Sequence, residues 1–178
     1  MKSPPVTSPP ATPPHAKKLL VVYHSMTGGT AQMVEALAQA CQTVDGIEIN
    51  LQLASNATAA DLLAADGYVF ATPENLGSMS GLMKDFFDRT YYPALDQIQG
   101  RPYAQMICAG SDGHGAAKQI DRIVVGWRLK PIQEALIINV NAQTPEAILA
   151  AKTLTAEQRQ ACQDLGLLLA TGLSMSVF

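Results

Sequence analysis

The stretch from Leu19 to Thr30 constrains this chain more than any other. Its first five residues, Leu19-Leu20-Val21-Val22-Tyr23, form an apolar run of the kind found in strands buried on both faces. The run stops at a turn rich in hydroxyls and glycine, Ser25-Met26-Thr27-Gly28-Gly29-Thr30, and helical spacing begins near Thr30. A buried strand that feeds a helix in this way presents the free N–H groups and positive dipole end of that helix to whatever lies beyond. Ser25, Thr27 and Thr30 add hydroxyl donors, and the turn contains no Lys or Arg. Neutral donors at a helix N-terminus suit the monophosphate of a firmly held cofactor. An ordinary strand-to-helix turn with a Thr cap is the plain alternative.

Other phosphate-binding turns fail residue by residue. No Lys follows Gly28 or Gly29, as a P-loop needs, and the pair does not supply Gly-x-Gly-x-x-Gly.

From Lys17 onward strand and helix patterns alternate. Strands are expected at Leu19–Tyr23, Ile47–Leu53, Gly67–Ala71, Tyr103–Ala109 and Ile132–Val140. The second alternates apolar and polar residues, as an edge strand does. Helices are expected at Thr30–Val44, with Met33, Leu37, Ala40, Cys41 and Val44 on one face, then at Ala59–Ala65, Gly81 to about Tyr91 before Pro93, Gly115–Arg128 and Thr155–Ser174. Thr155-Ala-Glu-Gln158 is a capping box. The alternation predicts a three-layer, doubly wound α/β domain with a five-stranded parallel sheet over residues 17–178. Residues 1–16 hold six of the eleven prolines and predict an extended, disordered tail.

With 178 residues, 48% hydrophobic and 15% charged, the chain has material for one full core. A net charge of −3 argues against a nucleic-acid partner, and also against the strongly acidic docking face of a dedicated electron shuttle. Cys41, Cys108 and Cys162 are odd in number and lack metal-ligand spacing, so they read as free buried thiols in a reducing compartment. His15 and His24 have no ligand-like companions, and no metal site is expected. Neither a membrane span nor a signal peptide is visible, so a cytoplasmic location is expected.

In a sheet of this class the ligand lies beyond the carboxyl ends of the strands, at the switch point of the strand order. The loops there are unusual. After strand three comes Thr72-Pro73-Glu74-Asn75-Leu76-Gly77-Ser78-Met79-Ser80-Gly81, and after strand four Gly110-Ser111-Asp112-Gly113-His114-Gly115. Ser25-x-Thr27-Gly28-x-Thr30 resembles the FMN phosphate loop of the flavodoxin-like superfamily, whose strand order is 2-1-3-4-5. Thr72-Pro73-Glu74, Gly77-Ser78, Gly81-Leu82-Met83-Lys84 and Phe87-Asp88-Arg89 resemble the signature of the NAD(P)H-dependent FMN reductases. The stretch from Gly77 to Lys84 is also similar to the tryptophan-repressor-binding-protein type of quinone reductase.

The resemblance runs from about Lys17 to Ser174 and implies an FMN-dependent enzyme with NAD(P)H as co-substrate, passing electrons to quinones or similar small acceptors. It implies that Ser25, Met26, Thr27, Gly28, Gly29 and Thr30 hold the phosphate. Pro73, Glu74, Asn75, Leu76, Gly77, Ser78 and Met79 would line the ring and ribityl chain, with Gly110, Ser111, Asp112, Gly113 and His114 closing the other edge. Asn75-Leu76 replaces the usual Tyr-Asn, and neither ring-flanking loop has the aromatic residue that sandwiches flavin in carrier flavodoxins. A flavodoxin-type electron carrier without NAD(P)H activity is the alternative, and a homo-oligomer is left open.

Flavin would carry the chemistry, so no catalytic acid or base is required. His114 is the one side chain that reads either as a donor to the ring or as a solvated helix-start residue. Asp112 reads as a helix cap, and Glu74 as a partner for a ring N–H or a solvated carboxylate. Lys84, Asp85, Asp88 and Arg89 read as a solvated helix face, and Trp127 as structural.

Overall fold

Strand β1 (Lys17–Tyr23) sits inside the sheet because its central residues, Leu19 to Val22, are apolar on both faces. Leu20 and Val22 point into one core layer and Leu19 and Val21 into the other. The structure, a computed structural model, describes residues 16–178; the expected Pro-rich tail therefore falls almost wholly outside the described residues, as does His15. Helix α1 (Gly29–Cys41) follows, then β2 (Ile47–Leu53), α2 (Ala59–Ala64), β3 (Gly67–Asn75), β4 (Ser78–Met79), α3 (Gly81–Ala94) and β5 (Pro102–Ala109). Helix α4 (His114–Val124), β6 (Lys130–Pro131), β7 (Leu136–Asn139), α5 (Pro145–Leu149) and α6 (Ala156–Ser174) complete the chain.

The parallel sheet runs β2-β1-β3-β5, with β6 and β7 both pairing along the outer side of β5. This is the expected 2-1-3-4-5 order, with the fifth strand in two pieces. Ile132 N–H still donates to the Tyr103 carbonyl at 3.1 Å, but residues 133–135 leave the ladder, and pairing resumes at Leu136 opposite Met106.

Helices α1 and α6 cover one face, packed closely because a Cβ on Gly166 would lie 2.5 Å from the Leu37 carbonyl oxygen. The other face carries α2, α3 and α4 over an aromatic cluster in which Phe87 packs on Phe70 and Trp127 at centroid distances of 5.1 and 5.6 Å. Trp127 is core, as its sequence context implies. The capping box at Thr155 and Gln158 is present.

Some boundaries differ. Helix α1 ends at Cys41 rather than Val44, and α4 spans His114–Val124 rather than reaching Arg128. Helix α3 continues through Pro93 to Ala94, since a proline in the last turn removes only one donor. The α3 surface is not all solvated: Lys84 and Asp88 pair at 2.6 Å in solvent, but Arg89 donates to the Ala54 and Ala57 carbonyls at 2.7 and 3.0 Å, tying down the turn before α2. No helix among the described residues is long and apolar enough to cross a membrane.

Candidate functional site

The Gly28-Gly29 pair serves two purposes. Gly28, at the N-cap of α1, has φ +88°, a left-handed conformation that favours glycine. Gly29 has no room for a side chain, because a Cβ there would lie 2.4 Å from Cys108 Sγ on β5. A glycine cap brings no side-chain acceptor, so Ser25 Oγ accepts the Ala31 N–H at 3.2 Å instead. Thr30 is 1% exposed and its Oγ1 has no hydrogen-bond partner. Thr30 is therefore not a helix cap; it is an unpaired hydroxyl in the wall of a cavity.

The segment after β3, expected as an open loop, is a hairpin. Strand β3 continues to Asn75 and pairs antiparallel with β4 through Glu74–Met79 and Asn75–Ser78. Leu76 and Gly77 form its two-residue tip with φ of +53° and +72°. The hairpin's base is fixed by hydroxyls: Thr72 Oγ1 donates to Ser80 Oγ at 3.1 Å, and Ser80 caps α3 at Met83 N–H. Leu76 is fully exposed at the tip, and Asn75 leans toward Met26 on the first loop.

Glu74, partly buried in the cavity wall, is engaged by another element. Its Oε1 accepts from the Gly113 N–H at 2.8 Å and its Oε2 from the Ala116 N–H at 2.9 Å, so it caps α4 from another element. Gly115 completes the clasp, since a Cβ there would lie 2.2 Å from the Gly77 carbonyl oxygen. Gln119 binds the other side of the hairpin, accepting from Met79 N–H at 3.0 Å and donating to Ser78 Oγ at 3.1 Å. Ser78 and Met79 thus serve α4 packing rather than the cavity. Asp112 does not cap α4; it pairs with His114 at 2.7 Å in solvent, where the His114 side chain is 79% exposed. Gly113 holds the N-cap with φ +97°.

Between these loops lies a cavity of about 560 Å³ at the carboxyl ends of β1, β3 and β5. Of the residues expected there, Ser25, Met26, Thr27, Gly29, Thr30, Pro73, Glu74, Asn75, Leu76, Gly77, Gly110 and Ser111 line it. Gly28, Ser78, Met79, Asp112, Gly113 and His114 do not.

A fourth wall escaped the sequence reading. Val140, Ala142, Ile148 and Lys152 line the cavity from the chain between β7 and α6, and Cys108 and Ala109 line its floor. This strap is fastened at both ends. Ala142 N–H donates to the Gly110 carbonyl at 2.9 Å and Lys152 N–H to the Thr27 carbonyl at 2.8 Å. Gln32 on α1 holds the same end, donating to the Lys152 carbonyl at 2.6 Å while its Oε1 accepts from Leu154 N–H and Arg159. The signals were Thr144-Pro145, a cap and N1 pair, and Lys152, the lone basic residue between β7 and α6.

Burial pushes the Cys108 thiol up from its ordinary pKa, against the nearby charge of Lys152, so it is an apolar part of the floor. Burial likewise holds His24, beside the first loop, below the usual histidine value. Among the described residues no group of three or more His, Cys, Asp or Glu is placed to hold a metal ion.

The profile of the NADPH-dependent FMN reductase family matches residues 54–142, half of the chain, including the hairpin and the turn into α4. A flavodoxin of Aquifex aeolicus is 29% identical over 169 residues, covering 90% of this chain and 89% of the relative. An NAD(P)H dehydrogenase (quinone) of Acidithiobacillus ferrooxidans is 33% identical over 93 residues, covering 41% of this chain and 46% of the relative, so the chain spans under half of that protein. An archaeal flavodoxin structure superposes with a TM-score of 0.71 at 20% identity, over 88% of this chain and 98% of that one, which shows a common fold. This chain belongs to the NADPH-dependent FMN reductase family.

Proposed function

We propose that this protein is an NAD(P)H oxidoreductase that holds FMN in the cavity beyond β1, β3 and β5 and delivers electrons to quinones or similar small acceptors. The observation that carries the reading is Thr30 Oγ1, a buried hydroxyl without a partner at the N-terminus of α1 and in the cavity wall. A buried polar atom that folding leaves unpaired is costly, and a phosphate oxygen is the acceptor that helix N-termini favour. The volume of about 560 Å³ lies in the range of small-molecule and cofactor sites.

Bound FMN would supply the redox chemistry, hydride acceptance from the nicotinamide and electron delivery to the acceptor. The protein's part is to bind and to orient. Ser25, Thr27 and Thr30, which line the cavity, and the first N–H groups of α1 would hold the phosphate end. Pro73 to Gly77 and Gly110 to Ser111 form the ring-facing walls, kept in register by Glu74. Backbone N–H groups of Asn75 to Ser78 would steady negative charge on the ring in the manner of an oxyanion hole. His114, outside the cavity wall, has no part in this.

No aromatic residue is among those lining the cavity in the described structure, which leaves a ring face open for a nicotinamide or a quinone. The three unpaired cysteines fit a reducing, cytoplasmic setting. The long match to a flavodoxin favours a second reading, an electron carrier. Steady-state oxidation of NADPH and of NADH, with and without added FMN and a benzoquinone, separates the two. Oxidation that needs both FMN and the quinone is the expected result. Oxidation that no quinone accelerates contradicts the proposed acceptor, and none at all contradicts the enzyme.

A further inference from the structure

We propose that Lys152 supplies the positive charge that pairs with the phosphate of the bound flavin nucleotide, and so makes the cavity prefer FMN to unphosphorylated riboflavin. The inference rests on the FMN reading above and adds a residue outside the motif that suggested it.

The first loop has no Lys or Arg, so its hydroxyls and N–H groups leave a phosphate's charge largely uncompensated. Two charged residues line the cavity, Glu74 and Lys152. Both Glu74 oxygens are engaged by backbone N–H groups. Lys152 is held over the first turn of α1 by two backbone hydrogen bonds, its N–H to Thr27 at 2.8 Å and its carbonyl from Gln32 at 2.6 Å. Its Cβ and Cγ lie 3.4 and 3.5 Å from where a Gly29 side chain would begin. The stem thus rests against the helix terminus, in the wall of the same cavity as the unpaired Thr30 hydroxyl.

The ammonium group is turned back onto the carbonyls of Ala147, Ile148 and Ala150, at 2.7, 2.9 and 2.5 Å, around the end of α5. These acceptors carry no charge of their own. A phosphate in the loop is an anion, so the ammonium group gains with it an ion-pair attraction that carbonyls do not offer. Rotation about the flexible four-carbon stem suffices to exchange them while the backbone stays tied to Thr27 and Gln32. A single basic side chain brought in from the strap then does what Arg or Lys does within other phosphate loops.

The test compares FMN and riboflavin affinity, read by flavin fluorescence on titration with protein, in the wild type, Lys152→Met and Lys152→Arg. The wild type is expected to bind FMN more tightly than riboflavin. Lys152→Met should lose about tenfold or more in FMN affinity, the size of one charge-assisted hydrogen bond, with riboflavin affinity unchanged. Lys152→Arg should keep most of the preference. Equal losses for both flavins would show that Lys152 only supports the strap and would overturn the proposal, as would unchanged FMN affinity. Added NaCl gives an independent reading on the unmodified protein: FMN binding should weaken with salt and riboflavin binding should not, and salt-independent FMN binding overturns the proposal. Wild-type protein that binds neither flavin would instead refute the FMN reading itself.

Discussion

Thr30 and Glu74 show how differently two polar residues of one site are used. Folding buries the Thr30 hydroxyl and leaves it unpaired, a cost of about 1–3 kcal/mol that a bound acceptor relieves. Thr30→Val keeps the shape, so thermal denaturation of the flavin-free protein should show equal or higher stability. FMN affinity, by fluorescence titration, should fall about tenfold, the worth of a hydrogen bond to a charged group. Lower stability with unchanged FMN affinity would mean that Thr30 is structural. Glu74 joins two elements across 39 and 42 residues of sequence. Glu74→Ala leaves the N–H groups of Gly113, the N-cap, and Ala116, in the first turn of α4, without acceptors and should cost about 1–2 kcal/mol in urea unfolding, the worth of a helix cap. The sequence placed both residues at the site. It could not tell a ligand contact from a cap, because the Glu74 partners are backbone groups of a distant turn.

The glycines set how closely elements approach, and the elements themselves were unequally legible. Gly29 lets α1 meet β5 at Cys108. Gly29→Ala should destabilise by about 1–3 kcal/mol, the range for overpacked cores. Cys108→Ala removes the colliding sulfur, so the double variant should lose less than the sum of the single losses, by more than the roughly 0.5 kcal/mol expected of independent sites. Additive losses in denaturant unfolding would contradict the contact. Strand β2 was readable residue for residue from its alternation, and α6 from its capping box. The β3–β4 hairpin was not, because Leu76-Gly77 lacks the Asn-Gly or Asp-Gly pair that marks such turns and Pro73 reads as a breaker. Helix α5, five residues long, is too short for periodicity to show.

At the scale of the whole molecule, the doubly wound topology follows from strand–helix alternation, and the site follows from the topology. What alternation could not supply is the strap, which reaches the cavity only because β7 ends beside β5 and α6 returns against α1. The core also carries buried acids. Burial pushes Cys41 from 9.0 to about 11, Cys162 from 9.0 to about 12 and Tyr68 from 10.0 to about 12. The unfolded chain gives up these protons first, so above pH 9 it binds fewer protons than the folded chain and stability falls as pH rises toward the folded values. The thermal midpoint should therefore drop progressively above pH 9, and Cys41→Ala should make that drop shallower. An unchanged slope in that variant would contradict the buried-thiol account. The measurement that bears most directly on the central claim is anaerobic mixing of the FMN-loaded protein with NADPH, then NADH, followed by the visible absorption of the flavin. Rapid bleaching by a reduced nicotinamide is predicted, the faster donor giving the preference. Flavin that stays bound and coloured in excess of both would contradict the reductase and leave an electron carrier.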